Sequence, residues 1–424
     1  MSSLRDWLSR LEQLHPTEIE LGLERVASVA GALGVQKPAP TVITVAGTNG
    51  KGSCVAAMEA LLCRGGRSVG AYSSPHLLRF NERVRINGVE VSDGDLVLAF
   101  EAIAAARGGI SLTYFEYTTL AALWLYLRAG VEFVLLEVGL GGRLDAVNLV
   151  DADLAIITSI AIDHEDWLGS DREVIGREKA GILRAGVPFI CAESDPPQSV
   201  CSAGEKLASS SYFIGRDFSL SVEGSGDEIY RFAEQTLLIP EVSLPRPSIA
   251  AAITALALLR ALPQDGVETV LTQIALPGRC QQVQWQGCHL LLDVGHNPAA
   301  AQHLASWLSD NPVSGATHAL VAVMADKDLV GLFAPLREVV DVWHPALLPG
   351  NSRAAGAGAL AAGLSGAGVE VTNVDDRCPN VADGLQQLLP TMGSQDRLLV
   401  FGSFFTVAEV LQQMRDEGNG ELRG

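Results

Sequence analysis

Short runs of β-branched and leucine residues alternate along this chain with longer stretches rich in alanine and leucine, the pattern of βα units wound around a mostly parallel sheet. Continuous apolar runs predict strands at 41–46, 132–138, 154–160 and 187–191, since a parallel strand covered on both faces needs no polar alternation. Helices are expected at 53–64 and 118–128. A second series follows, with strands at 289–294, 319–323, 339–343, 369–374 and 398–401 and helices near 299–308 and 407–415. Between the two series, Ala275-Leu276-Pro277-Gly278-Arg279 interrupts any regular element with Pro and Gly. The boundary is placed there, giving domains 1–276 and 277–424. The Ser/Gly-rich region 209–237 reads as a β excursion of the first domain.

Composition narrows the classes. A hydrophobic content of 48% over 424 residues supplies two large cores and excludes a disordered chain. The longest apolar run, 249–259, falls short of the ~18 residues that cross a bilayer. Its first residues, MSSLRDWLSRLEQLHP, are amphipathic where a secretory signal needs an apolar stretch, so a cytoplasmic protein with no membrane association is expected. The net charge of −19 repels nucleic acid and obliges any acidic substrate to be captured by a local cluster of Lys, Arg or metal ions. Seven scattered cysteines without a CxxC pair argue against a disulfide framework and against a zinc site.

One motif answers the charge problem. The strand TVITVA runs into Gly47-Thr48-Asn49-Gly50-Lys51-Gly52-Ser53 and then into a helix. Backbone N–H groups at such a turn point at phosphate, the helix dipole favours negative charge, and Lys51 can reach the terminal phosphates of a nucleotide. Gly52 separates Lys51 from Ser53, a variant of the usual spacing, and Ser53 becomes the candidate magnesium ligand. The fold class is therefore α/β, an N-terminal phosphate-loop ATPase domain with a mostly parallel sheet plus a smaller C-terminal Rossmann-like domain.

Other candidates carry less by themselves. Glu137 closes the run Phe133-Val134-Leu135-Leu136 where an acid would help hold Mg²⁺, or it is a strand-end ion-pair residue. His164 stands among Asp163, Glu165 and Asp166, as a cation ligand or a structural histidine. Arg177-Glu178-Lys179-Ala180-Gly181 reads as a charged helix face. Asp293, followed by Val294-Gly295-His296-Asn297-Pro298, lies past an apolar strand and can accept ribose hydroxyls or cap a turn. Met324-Ala325-Asp326-Lys327-Asp328 and Phe401-Gly402-Ser403-Phe404 follow later strands in the same way.

Together with Ser74-Pro75-His76, Phe80-Asn81-Glu82-Arg83, Gly139 to Asp145, Leu276-Pro277-Gly278-Arg279 and Leu21-Gly22-Leu23-Glu24-Arg25, these motifs occur in one order. In that combination the chain resembles the bacterial dihydrofolate synthase/folylpolyglutamate synthases, Mur-ligase-like enzymes. The resemblance implies ATP-dependent ligation of L-glutamate to dihydropteroate and to reduced folates through an acyl phosphate. It implies ATP and two Mg²⁺ sites, and a monomer whose partners are these small molecules. Lys51 and the loop amides of Gly47, Thr48, Asn49, Gly50 and Gly52 would hold the phosphates, Ser53 and Glu137 one Mg²⁺, and His164 a second. The lysine matching Lys179 is carbamylated in the family, making Lys179 catalytic alongside Lys51, Glu137 and His164. Arg279 would approach the phosphates, Asp293 the ribose and Ser248 the adenine. Phe115, Glu116 and Thr118 would line the pterin side, Arg143 and Asp145 would bind substrate, and His296 and Ser403 would meet the incoming glutamate. Two positions depart from the family pattern: Ser248 stands where Asn is usual, and Phe405 stands where many members have His. Alternatives are a single-activity folylpolyglutamate synthase, a Mur-type peptidoglycan amino-acid ligase and a non-catalytic nucleotide-binding switch.

Overall fold

A computed structural model describes residues 3–15, 20–223, 228–370 and 378–418. The chain divides into two compact units, Met1–Ile274 and Ala275–Gly424. The first unit is built on a sheet of eight strands among the described residues: β1 (Thr41–Ala46), β2 (Val69–Tyr72), β3 (Val84–Ile86), β4 (Val89–Glu90), β5 (Phe133–Glu137), β6 (Leu154–Ile157), β7 (Phe189–Cys191) and β8 (Ser211–Phe213). Their spatial order is β4-β3-β2-β5-β1-β6-β7-β8. β1 lies between β5 and β6, parallel to both, and is covered on both faces, which is why its sequence is apolar without alternation. The antiparallel pairings are β2 with β3 and β3 with β4, at one edge.

Two of the expected strands in this unit are shorter than their apolar runs. The run 154–160 stops pairing at Ile157, because Thr158 and Ser159 turn their hydroxyls onto the preceding loop. The strand expected at 187–191 begins at Phe189, after Pro188, which cannot donate to a ladder. The helix expected from 118 begins at Tyr114. Thr113 and Glu116 form a capping box there, with Thr113 Oγ1 accepting from Glu116 N–H at 3.2 Å and Glu116 Oε2 accepting from Thr113 N–H at 2.7 Å. Region 209–237 divides: β8 joins the main sheet, while β9 (Phe218–Val222), β10 (Glu228–Phe232) and β11 (Gln235–Ile239) form a separate antiparallel sheet.

The second unit carries β12 (Gln281–Trp285), β13 (Cys288–Asp293), β14 (Thr317–Val321), β15 (Val342–Pro345) and β16 (Arg397–Phe401), in the order β12-β13-β16-β14-β15. β12 is the antiparallel member. β14 starts and ends two residues earlier than expected, and β15 replaces the strand expected at 339–343. Val339 and Val340 instead close the turn after Leu336, their N–H groups donating to its carbonyl. The strand expected at 369–374 lies mostly outside the described residues. The core of this unit is set by Phe333, Trp343 and Phe401, with ring centroids 5.4 and 6.2 Å apart in sequence. Among the described residues no helix is long and apolar enough to cross a membrane.

Packing against β2 is close enough to forbid a methyl group. A Cβ at Gly70 would lie 2.4 to 2.7 Å from the ring of the buried Tyr126. Gly70→Ala is expected to destabilise the protein by about 1–3 kcal/mol through overpacking, read as a lower urea midpoint at unchanged m. An unchanged midpoint would show that the ring can move aside.

Candidate active site

The phosphate loop leaves the sheet at the carboxyl end of β1, a place where α/β folds bind ligands. It is fastened along the β6 side. Thr48 N–H donates to Ser159 O at 2.8 Å, Asn49 N–H to Ser159 Oγ at 2.9 Å, and Thr158 Oγ1 to Asn49 O at 2.7 Å. Thr48 Oγ1 donates to Ala161 O at 3.0 Å. Two glycines make this approach possible. Gly47 has φ 155° and Gly50 φ 83°, and a Cβ would stand 1.9 Å from Thr158 Oγ1 or 2.3 Å from Ser248 Oγ respectively. Ser248, on the helix Arg246–Leu258, is thus packed against the loop.

The helix Lys51–Arg64 starts at Gly50 with no side-chain cap, leaving its first amides for an anion. Lys51 Nζ folds back over the loop, donating to Gly47 O at 3.0 Å and Thr48 O at 3.1 Å. Ser53 is buried in the first turn, and its Oγ has no hydrogen-bond partner among the described residues. Glu137, buried at the end of β5, faces the same turn: a Cβ on Gly52 would lie 3.5 Å from Glu137 Oε2. That oxygen also accepts from Ser74 N–H at 3.3 Å. An orphaned hydroxyl beside a buried carboxylate is the donor set that a hard divalent cation takes.

A small cavity at the mouth of the loop brings together Lys51, Asp163, His164 and Lys179, with Gly47 and Gly139 in its wall. Lys179 is only 3% exposed. Burial, helped by the Lys51 charge and opposed by Asp163 and Asp145, pushes its ammonium down to about 7. His164 is exposed and holds a left-handed φ of 53°, its N–H donating to Asp163 Oδ1 at 2.8 Å.

Arg143 and Asp145 shape this wall. Asp145 accepts from Gly139 and Leu140 N–H at 3.0 and 2.9 Å through one oxygen and from Val147 N–H at 3.0 Å through the other. Burial nevertheless raises its carboxyl to about 6. Arg143 pairs with Glu178 at 2.9 Å, next to Lys179 in sequence. A Cβ at Gly142 would stand 2.9 Å from Glu178 O, so the glycine-rich loop lies flat on the segment that carries Lys179.

Of the pterin-side candidates, Phe115 and Thr118 meet at Tyr72. The Tyr72 and Phe115 rings are 6.0 Å apart, and Tyr72 Oη lies 3.0 Å from Thr118 Oγ1. A Cβ at Gly139 would touch Phe115 at 2.7 Å. Glu116 is instead committed to its capping box and to Arg25 Nη2 at 3.0 Å. Next to this group stand residues that the sequence quoted without giving a role. Arg83 lies 5.7 and 5.6 Å above the rings of Phe80 and Tyr114 and donates to His76 Nδ1 at 2.8 Å. Burial first, then the Arg83 cation, pushes His76 down to about 4.

In the second unit the candidates gather at the carboxyl ends of β13 and β16. The Arg279 guanidinium lies 5.0 Å over the Phe404 ring, and the His296 ring is 6.3 Å from the same phenyl. Asp293 accepts from Cys280 N–H at 2.9 Å and Gly295 N–H at 2.7 Å. Ser403 caps the helix Phe404–Asp416, its Oγ accepting from Thr406 N–H at 3.0 Å. Phe405 is exposed on that helix.

Residues 278–404 match the family model described as "Mur ligase, glutamate ligase domain". With the phosphate loop of the first unit, this defines the class as an amide-forming ligase of the Mur superfamily. The chain is 44% identical over 415 residues to the dihydrofolate synthase/folylpolyglutamate synthase of Escherichia coli (strain K12), covering 97% of this chain and 95% of that one. It therefore belongs to the bifunctional dihydrofolate synthase/folylpolyglutamate synthase family. Its fold matches E. coli FolC in complex with DHPP and ADP with a TM-score of 0.91 at 43% identity, over 98% of each chain. A bifunctional folylpolyglutamate synthase/dihydrofolate synthase with Mn, AMPPNP and L-glutamate bound matches with a TM-score of 0.88 at 44% identity, also over 98% of each.

The Lys179 environment has a measurable consequence. Unfolded, this lysine holds its proton up to about its ordinary 10.5, whereas in the folded protein it gives the proton up near 7. Between those values the unfolded chain binds more protons, so stability from this group rises with pH from about 7 upward. In CO₂-free buffer, Lys179→Met is expected to remove a gain of up to about 1.4 kcal/mol per pH unit between roughly pH 7 and pH 9. Urea unfolding of both proteins at the two pH values checks it, and parallel pH profiles would contradict the buried neutral amine.

Proposed function

We propose that this chain ligates L-glutamate to dihydropteroate, forming dihydrofolate, and to reduced folates, forming folylpolyglutamates, at the expense of ATP. The observation that carries the reading is the phosphate loop, whose first helical turn holds the orphaned Ser53 hydroxyl and meets the Glu137 carboxylate at Gly52, within a family resemblance that spans nearly the whole chain. The neighbours solved with ADP and with Mn, AMPPNP and L-glutamate support it. Seven free cysteines and the use of ATP favour the cytoplasm, and we take the working form to be a monomer.

In the first step an oxygen of the substrate carboxylate attacks the γ-phosphorus and the bond to the β-phosphate oxygen breaks, giving an acyl phosphate and ADP. Both reactants are anions. Lys51, released from Gly47 O and Thr48 O, and the amides of Gly47, Thr48, Asn49, Gly50 and Gly52 would draw the phosphates in and stabilise the transferring group. Ser53 and Glu137 fit one Mg²⁺, and His164 with a carbamylated Lys179 a second; when bound, the ions neutralise charge that develops on phosphate oxygens. The neutral glutamate amine then attacks the acyl carbon, phosphate leaves, and the amine proton passes to solvent. His296 and Ser403 would orient that glutamate, and Arg279 and Asp293 would meet the phosphates and ribose. Asp293 is well placed to do so because two backbone amides fix its carboxylate. Ser248 would border the adenine. Phe115, Glu116 and Thr118 would form the pterin side, Phe115 and Thr118 by contact and Glu116 by fixing the helix start, while Arg143 and Asp145 hold its wall.

Lys179 is suited to carbamylation. A neutral buried amine adds to CO₂ through a new N–C bond and releases one proton to solvent, so that an anion able to support Mg²⁺ would stand where an ammonium would repel it.

ADP release is expected with either dihydropteroate or tetrahydrofolate and only when L-glutamate is present. Extension of tetrahydrofolate without dihydrofolate formation would leave a single-activity folylpolyglutamate synthase. Lys51→Ala and Glu137→Ala are expected to stay folded while kcat falls by ~10²–10³; near-normal turnover in either would remove the assigned roles. Mass spectrometry of the native protein in bicarbonate should show one carboxylated lysine at Lys179. Full activity of Lys179→Ala would refute its part.

A further inference from the structure

The Arg85 guanidinium touches none of the groups given a role above, yet it sits half-buried where the phosphate-loop helix, β3 and the 73–83 loop converge. Its Nε and Nη2 both lie 2.8 Å from Glu59 Oε2. Its Nη1 donates to Ser73 Oγ at 2.9 Å and to Glu82 O at 2.8 Å. Glu59 belongs to the helix Lys51–Arg64, less than two turns beyond Ser53. Ser73 precedes Ser74, whose N–H holds Glu137 Oε2. The loop itself is stiffened from within, because the Glu82 carboxylate accepts from the N–H groups of Leu77, Leu78 and Arg79 at 2.6 to 2.8 Å. One planar cation therefore ties the helix that carries Ser53 to the loop that grips Glu137.

Stability does not account for this arrangement. Taking two charges out of water often costs more than their attraction returns, and apolar side chains of similar size would hold the fold as well. Here the second oxygen of Glu59 and the hydroxyl of Tyr126, both buried in the same neighbourhood, have no hydrogen-bond partner among the described residues. What the guanidinium does supply is direction: its donors lie in one plane at fixed angles, so the places of Glu59 and Ser73 are set relative to each other.

We propose that Arg85 is a positioning residue for the divalent-ion site, fixing the Ser73–Ser74 peptide against Glu137 and thereby the carboxylate against Ser53. The proposal rests on Ser53 and Glu137 holding the ion. It predicts that metal affinity depends on a residue that contacts neither metal nor nucleotide.

The test measures Mn²⁺ binding to the full-length protein saturated with AMPPNP, by the EPR signal of free Mn²⁺, beside the Mg²⁺ dependence of ADP release at saturating ATP. Arg85→Lys keeps the charge and loses the fork; Ser73→Ala removes one link and leaves no buried charge unpaired. The Mn²⁺ Kd should rise roughly tenfold in Arg85→Lys and a few-fold in Ser73→Ala, with half-saturating Mg²⁺ rising in parallel. KM for dihydropteroate and L-glutamate should stay within about twofold, a split that general loosening of the fold would not produce. If Arg85→Lys does not fold, Ser73→Ala decides. Mn²⁺ affinity weakened by Glu137→Ala but unchanged in the folded Arg85 and Ser73 variants would overturn the clamp alone. Affinity that survives Glu137→Ala would overturn the ion site and the clamp with it.

Discussion

Lys51 and Lys179 share one small cavity, where burial, reinforced by the Lys51 charge, works against the Lys179 ammonium. A chain of net charge −19 needs cations wherever it gathers anions, but burying an ammonium near a second one weakens its hold on its proton. The conflict is resolved unequally. Lys51 reaches the loop carbonyls, whereas Lys179, almost wholly buried, has its ammonium pushed down to about 7. Asp145 is displaced the other way, toward the protonated form, in the adjoining wall. Groups poised near neutral pH are what proton-handling sites require.

The second unit meets the same charge problem differently. Arg279 is laid across the face of Phe404, with His296 against the same ring. An aromatic face, unlike a carboxylate, steadies a guanidinium without neutralising its charge.

How far the sequence could be read follows from which interactions are local. β1, β5 and the phosphate loop were legible because an apolar run, a glycine turn and Lys51 stand next to one another in the chain. The true start of the helix Tyr114–Ala129 was also legible in principle, as Thr113 and Glu116 have capping-box spacing, but the apolar run beginning further on drew the boundary inward. β2, β3 and β4 are too short to stand out, and their pairing partners, β5 for β2, β2 for β3 and β3 for β4, show only in the folded sheet. Among the candidate site residues, Ser53 and Glu137 stand out in the sequence by their places at the ends of elements. Arg143 and Glu116 could be read as chemically capable but not as already engaged, because Glu178 and Arg25 are brought to them only by the fold. Arg85 was silent for the same reason: Glu59 and Ser73 lie 26 and 12 residues away in sequence.

The fastening of residues 47–49 to 158–161 also determines how binding energy is distributed. Because the loop's carbonyls and amides are already oriented by Thr158, Ser159 and Ala161, an arriving anion orders little further backbone, and the entropic penalty is met when the chain folds. Recognition and folding are then a single cooperative event at this end of the sheet. Fraying that releases β6 from β1 would dissolve the anion cradle at the same moment, so amide exchange in β6 and loss of nucleotide affinity share one opening free energy.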